Sequence, residues 1–359
     1  MIQLRPYQLD AVRAVDKAFF QGESAVCLQI PTGGGKTIVA AEIVRRLSSR
    51  RVLYVVPSRE IFAQTEAKLR AVGITPTLLD AGAKPGMRGV RCLLAMSQTL
   101  AKRLRYGFFR SWSPDLIIID EAHRLLDQHA AVLREFSCRT IALTATPVRL
   151  DGRSLGAMWP TLIPGPQVLD LVEGRSLVPT RTLSIPLADL RKVRRKRGDF
   201  DAASLGAAFE ESRAADLSAL LWKQYGEGRK TVAFTPSRAV SATLCDALNT
   251  LGVPAEHVDA TTKTEDRENA LARLVSGEIQ VLVNCGLFIE GLDIPSIDCV
   301  LVCTSTLSLT KWLQMCGRGM RPFPGKRDLL VIDHGLCAAR LGLPDADRDW
   351  FWGGRPIKG

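Results

Sequence analysis

The sequence of 359 residues is long enough for two domains with separate cores, because a single core seldom grows past roughly 250 to 300 residues. Its 46% hydrophobic and 24% charged residues describe a globular chain, and no apolar run approaches the roughly 18 residues of a membrane span, which excludes a membrane-embedded class. The formal net charge of +11 favours a polyanionic partner, since each neutralised phosphate releases counterions, although a merely solubilising surface accounts for the charge equally well.

In chain order, the opening MIQLRPYQ lacks the apolar core of a secretion signal, so a cytoplasmic protein is expected. Short apolar runs follow: AVCLQI (25–30), VLYVV (52–56), CLLAM (92–96), LIII (116–119) and TIALT (140–144). Continuous runs of this kind suit strands buried on both faces of a parallel sheet. Between the first two, Ile38, Val39, Ile43, Val44 and Leu47 recur at helical spacing, which makes a βαβ pattern. A region rich in Gly and Pro near 151–180 and the basic run RKVRRKR (191–197) interrupt the alternation.

The same grammar then restarts. TVAF (231–234), a helix over 238–250, AEHVDA (255–260), a helix over 265–275, IQVLVN (279–284), IDCVLVC (297–303) and DLLVID (328–333) predict a second α/β domain. Thr262 and Glu265 have the spacing of a capping box opening the second of these helices. The domains are expected at 1–176 and 177–345, with a tail over 346–359. The nine cysteines lie in apolar runs, as Cys92, Cys299 and Cys303 do, and read as reduced core thiols. No CxxC pair occurs, and His123, His129, His257 and His334 join no cysteine cluster, so no structural zinc is expected.

Chemistry concentrates at strand ends. PTGGGKT (31–37) stands between an apolar run and a helical stretch, the context of a phosphate loop. Gly33, Gly34 and Gly35 allow the backbone to curl its N–H groups towards phosphate oxygens, beside Thr32; Lys36 reaches the β- and γ-phosphates, and Thr37 holds Mg²⁺. The pattern GxxxxGKT is broken at its first glycine, where Ile30 stands. LIIIDEAH (116–123) places Asp120 to orient Mg²⁺ through its water shell and Glu121 to act as general base, on a strand expected to neighbour that of the phosphate loop.

PTGGGKT, DEAH, LTATP (143–147), EGLDIP (290–295) and QMCGRGMR (314–321), in this order, resemble the motif set of superfamily 2 helicases, specifically the branch with type III restriction motors, XPB-like proteins and phage or bacterial DEAH helicases. The resemblance covers residues 4 to about 335 and implies two tandem RecA-like, doubly wound parallel-sheet domains with ATP bound in a cleft between them. It implies ATP and Mg²⁺ as cofactors, and a bacterial or phage-infected cell as the setting. LRPYQLDAV (4–12) resembles an adenine-recognition segment, with Arg5 and the Gln8 amide at the base. Arg318 and Arg321, three apart at the start of a predicted helix, become finger residues for the γ-phosphate, a contribution of roughly 10³ to 10⁵ in rate. Gly291, Asp293 and Gln314 are expected near the nucleotide, while His123, Thr144 and Thr146 couple its state to the second domain.

Nucleic-acid contacts leave less trace, since they rest on short polar groups aimed at phosphates. By position they are Ser58, Arg59, Gln98, Thr99, Thr235, Ser237 and Arg238, with Ser58 and Ser237 serving equally well as helix caps. Cys285 and Ile289 stand where relatives usually carry a hydroxyl residue, which weakens the expected grip. Arg194, Arg195 and Arg197 of the basic run either track a phosphate backbone or belong to a solvated segment.

The implied activity is an ATP-dependent DNA helicase or translocase. DNA is preferred to RNA because PTGGGKT, TATP and LRPYQ differ from the patterns of the DEAD-box RNA group. A monomer satisfies this reading. Its rivals are a duplex translocase that separates no strands, an RNA helicase, and a nucleic-acid-binding scaffold without turnover. A P-loop kinase or GTPase would have no need of QMCGRGMR.

Overall fold

The computed structural model describes residues 3–47, 49–82, 86–104, 109, 111–124, 126–148, 155–287, 294–352 and 355–357. The chain divides into two compact units, Met1–Gln167 with Arg348–Gly359, and Val168–Asp347. The first division falls earlier than the boundary expected at 177, and the chain re-enters the first unit where a separate tail was expected.

The first unit runs α1 (Pro6–Phe20), β1 (Ala25–Gln29), α2 (Lys36–Arg46), β2 (Val52–Val56), α3 (Arg59–Ala71), β3 (Thr77–Leu79), β4 (Cys92–Met96), α4 (Ser97–Leu104), β5 (Leu116–Ile119), α5 (Leu126–Glu135), β6 (Arg139–Thr144) and β7 (Thr161–Ile163). Its seven strands form one sheet in the order β3-β4-β2-β5-β6-β1-β7, and every pairing is parallel. Residues of β2 and β5 are buried throughout, as aliphatic runs covered on both faces must be. Val12, Val15 and Phe19 of α1 and Val39, Ile43 and Val44 of α2 pack with alternate strand residues such as Val26, Leu28, Ile118 and Ile141 into one core.

The second unit contains α6 (Val168–Glu173), β8 (Thr180–Ser184), a hairpin of β9 (Arg195–Lys196) and β10 (Asp199–Phe200), α7 (Ala202–Glu211), α8 (Ala214–Tyr225), β11 (Thr231–Thr235), α9 (Arg238–Thr250), β12 (Ala255–Val258), α10 (Thr264–Ser276), β13 (Val281–Cys285), β14 (Cys299–Val302), α11 (Leu309–Gly317), β15 (Leu329–Asp333) and α12 (Cys337–Leu341). Six strands form a parallel sheet in the order β12-β13-β11-β14-β15-β8. Trp222 anchors this core, fully buried with its indole N–H donating to Thr231 Oγ1 at 2.8 Å. The expected capping box is absent: Lys263 occupies the cap position of α10, and the Thr262 hydroxyl accepts from the Asp259 N–H instead.

The returning segment forms β16 (Trp350–Trp352) and β17 (Arg355–Ile357). It is fastened to the first unit by Trp352 Nε1 donating to the Pro160 carbonyl and by Gln167 bonding the Arg348 backbone at both N–H and C=O. Seven cysteines are buried, Cys138 and Cys285 are half-buried, and all nine are free thiols. Among the described residues no helix is long and apolar enough to cross a membrane.

Gly335, after β15, is held where no side chain fits: a Cβ there would lie 1.9 Å from the Thr304 carbonyl oxygen and 2.8 Å from Ser305 Cβ. Gly335→Ala is therefore expected to destabilise the protein by about 2 kcal/mol or more, because backbone has to move to admit the methyl. Calorimetry of the two proteins checks this; coincident melting curves would show that the loop is not packed against Thr304.

Candidate functional site

Parallel pairing gathers the carboxyl ends of β1, β5 and β6 at one sheet edge, where open α/β sheets bind ligands. β5 does not neighbour β1 as expected; β6 lies between them and brings the TATP segment into the middle of the site. The Ala122 N–H donates to the Leu143 carbonyl and the Ile30 N–H to that of Thr144, so the loops after all three strands are stitched together.

In the phosphate loop Gly33 and Gly35 adopt φ of +86° and +85°, the left-handed region that glycine enters without penalty. Gly35 caps α2 with no side-chain acceptor, which leaves the positive end of the helix to the loop. Ile30, in the place of the usual first glycine, is fully buried within the core. Thr32 Oγ1 is buried and has no hydrogen-bond partner among the described residues.

The two carboxylates of the DEAH segment are set differently. Asp120 is buried; it accepts the Tyr54 hydroxyl at 3.3 Å and the Glu121 N–H at 2.9 Å. Burial, then the adjacent Glu121 charge, push its pKa up to about 6 against the pull of Lys36. Glu121 sits in left-handed backbone, φ +47°, and lies 3.7 Å from Lys36 Nζ and 3.5 Å from His123 Nδ1. The Lys36 and Glu121 side chains are only 10% and 12% exposed, so their attraction is weakly screened.

His123 fixes its own tautomer through Thr144. The Thr144 hydroxyl gives its single proton to the Thr146 carbonyl at 2.8 Å and accepts the Thr146 N–H at 3.1 Å. The contact to His123 Nδ1 at 3.1 Å therefore requires the imidazole to donate from Nδ1. Burial lowers the His123 pKa to about 4, so the ring is neutral near pH 7.

Arg5 and Gln8 stand beside the phosphate loop. The Gln8 amide accepts the Arg5 N–H at 3.0 Å and donates to the Gly34 carbonyl at 3.1 Å; a Cβ on Gly35 would meet Gln8 Nε2 at 2.5 Å. Tyr7 also donates to the Gly34 carbonyl, at 2.8 Å. Sequence reasoning passed over Tyr7 and Tyr54. The available signal was a tyrosine inside the aliphatic run VLYVV, whose buried hydroxyl needs a partner.

In the second unit Arg318 and Arg321 follow α11 rather than open a helix: Arg318 is its C-terminal cap, since the apolar seam of Trp312, Met315 and Cys316 ends at Gly317. Arg318 is buried, and burial lowers the Arg321 pKa. Gln314 is buried on the same helix with its Nε2 unpartnered among the described residues. Gly291 and Asp293, together with Ile289, lie outside the described residues.

Comparison with known proteins matches both halves of the chain. Residues 1–149 fit the family model "Type III restriction enzyme, res subunit" and residues 212–322 fit "Helicase conserved C-terminal domain". The chain belongs to helicase superfamily 2. The yeast protein "Putative ATP-dependent helicase IRC3" of Saccharomyces cerevisiae is 30% identical over 96% of this chain and 53% of its own length. The "DNA 3'-5' translocase XPB2" of Sulfurisphaera tokodaii is 26% identical over 95% of this chain and 84% of its own. A solved fragment of a "putative HsdR subunit" of a type I restriction enzyme from Vibrio vulnificus shares the fold, with a TM-score of 0.73 and 20% identity over 98% of this chain and 67% of that one. This superfamily 2 chain thus spans about half the length of its yeast relative.

At the positions where superfamily 2 resemblance implies nucleic-acid contacts, several side chains already have structural work. Ser58 accepts the Ile61 N–H and Ser237 the Val240 N–H, so both cap helices. Ser237 also donates to Glu210, and Thr235 donates to the Asn284 carbonyl. Thr99 is buried, whereas Arg59, Gln98 and Arg238 are exposed, Arg238 lying 3.7 Å from Asp259. Arg195 and Arg197 stand on the β9–β10 hairpin, and Arg194 at its root pairs with Asp201 at 3.3 Å.

The raised Asp120 pKa has a sign that can be tested. Its folded value of about 6 exceeds the ordinary 3.8, so folding disfavours the ionised form; the cost is full above pH 6 and fades as pH falls towards 4. Without nucleotide, Asp120→Asn is therefore expected to raise the melting temperature at about pH 7.5, with the gain shrinking steadily towards about pH 5. A gain independent of pH, or none, would show that the carboxylate is not ionised at a cost.

Proposed function

We propose that the chain is an ATP-driven motor that moves along DNA and separates its strands. The observation that carries this reading is the continuous path from Lys36 through Glu121 and His123 to Thr144 and Thr146. A phosphate loop alone would serve any P-loop enzyme. A base wired to the TATP segment suits one whose nucleotide state must be reported elsewhere.

The residues then act as follows. ATP phosphates compete with Glu121 for Lys36, and the released carboxylate turns to the attacking water as general base. The neutral His123 ring packs 3.5 Å from Glu121 Oε2 while its Nδ1 proton goes to Thr144, so a shift of Glu121 moves the ring and is felt at Thr144, whose hydroxyl has no spare capacity. Arg318 and Arg321 supply fixed cations to the transferring phosphoryl group. The Gln8 amide already binds the phosphate loop and points its second N–H at the Tyr7 hydroxyl, 3.5 Å away, so the remaining lone pair of its oxygen is the group available to an adenine edge.

A divalent cation fits the donors present. Asp120 and Glu121 are adjacent carboxylates in a buried setting, and Asp120 is held partly protonated by that crowding. Mg²⁺ held by Thr37 and, through water, by Asp120 would supply charge neutralisation at the β- and γ-phosphates.

DNA as the track is supported by the net charge of +11, by phosphate-loop and TATP sequences unlike those of the DEAD-box RNA group, and by the XPB2 relative, which is described as a DNA translocase. Strand separation, as opposed to translocation alone, rests on the family resemblance.

Glu121→Gln is expected to bind ATP with near-normal affinity while turnover falls by roughly 10² or more. ATPase rates measured with no nucleic acid, single-stranded, duplex and forked DNA, and RNA identify the track, and a strand-displacement assay beside a triplex-displacement assay separates unwinding from translocation. Undiminished hydrolysis by the Gln variant would remove Glu121 from the role of base.

A further inference from the structure

The β9–β10 hairpin is fixed at its root and bare at its tip. Two strands of two residues are too short to persist alone in water, so anchoring must come from elsewhere. Val193 is buried in the second unit's core and Phe200 packs against it, with the Arg340 guanidinium 5.6 Å from the Phe200 ring centre. Arg197 and Gly198 turn the chain with φ of +52° and +82°, the paired left-handed residues of a tight hairpin turn. The side chains of Arg195, Lys196 and Arg197 at this turn are exposed and make no hydrogen bond or ion pair among the described residues. Neighbouring cations on an ordered turn repel one another, and a polyanion relieves that repulsion.

Asp199, the first residue after the turn, binds the hairpin to the start of α11. Its carboxylate accepts the Leu307 N–H at 2.7 Å, the Thr306 hydroxyl at 2.9 and 3.0 Å, and the Lys311 ammonium at 2.8 Å. Burial alone would raise its pKa, but Lys311 and the Leu307 N–H outweigh burial and lower it, so the charge persists at neutral pH. The carboxylate also faces the positive end of α11, which Ser308 caps. The other end of α11 carries Arg318. Its nine residues span roughly 13 Å, a single hydrogen-bonded rod between hairpin and arginine.

We propose that Arg195, Lys196 and Arg197 grip the phosphate backbone of the DNA track, and that Asp199 is the positioning residue that passes this engagement through α11 to Arg318. The proposal rests on the ATP-driven motor reading above. It makes Asp199 the determinant of how strongly nucleic acid stimulates hydrolysis, in distinction from how tightly nucleic acid binds.

The full chain is tested in two parts. Arg195→Glu with Arg197→Glu is expected to weaken DNA binding at least about tenfold at moderate salt and to lower the salt slope by roughly 2. Asp199→Asn and Lys311→Gln remove no cation from the tip and are expected to hold DNA affinity within about twofold. Each should nevertheless cut the ratio of DNA-stimulated to basal kcat, at saturating DNA, by about fivefold or more. The double variant should lose no more than Asp199→Asn alone, because Lys311 acts through that carboxylate.

Wild-type stimulation ratios in Asp199→Asn and Lys311→Gln, or strictly additive losses in the double variant, overturn the coupling. Should Asp199→Asn fold poorly, Lys311→Gln decides, since it leaves the bonds to Leu307 and Thr306 in place. Unchanged affinity and salt slope in the arginine variant overturn the grip while leaving the motor reading intact. A wild-type ATPase indifferent to every nucleic acid overturns both.

Discussion

The carboxylate of Glu121, set between a lysine ammonium and a neutral imidazole, is the contact that ties the phosphate loop to the strand ends beside it, and the proposed chemistry depends on it. It exists because three parallel strands end at one edge and because β6, placed between β1 and β5, carries Thr144 under the His123 ring. The fold supplies the convergence, and burial supplies the strength: with little water between them, charges 3.7 Å apart act on each other far more than on a surface. The same burial holds Asp120 near its titration point and His123 neutral. One physical cause thus raises the proton affinity of a carboxylate and lowers that of an imidazole a few residues away, which is a common way for sites to combine groups with separated proton affinities.

Thr144 illustrates how such a site resists drift. Its hydroxyl donates once and accepts twice, so every bond it can make is made. Buried groups of this kind are costly to leave half-satisfied, and a neighbour that rotates away must be replaced or the whole set reorganises. Coupling between loops needs this all-or-none quality, because a loosely bonded hydroxyl would absorb a displacement without passing it on.

Much of this was legible in the sequence. The aliphatic runs at 52–56, 92–96 and 116–119 became strands with those limits, since continuous apolar segments have no stable alternative to burial on both faces. Strands β3, β7 and β8 escaped notice because all three are edge strands, β3 and β7 with only three residues each; TRTLS in β8 is only partly covered and needs no apolar run. The phosphate-loop and DEAH segments pointed to the family because residue type and spacing carry its motifs. The position of β6 between β1 and β5, the tyrosines at Gly34 and Asp120, and the Asp199 fan were not legible, because they depend on strand order and on contacts between segments far apart in sequence. Arg318 and Arg321 were expected at the start of a helix, whereas the apolar seam that precedes them forms the helix and Arg318 caps its end.

Ile30 departs from the usual phosphate-loop pattern, and its burial shows what the departure achieves. A glycine at this point would sample many backbone conformations in the free protein and lose them when phosphates bind. An isoleucine locked into the core has already lost them on folding, as has the backbone N–H that bonds Thr144. Gly34 is held as well, its carbonyl accepting from Tyr7 and Gln8, so nucleotide capture would carry a smaller ordering entropy and begin from a nearly formed cradle.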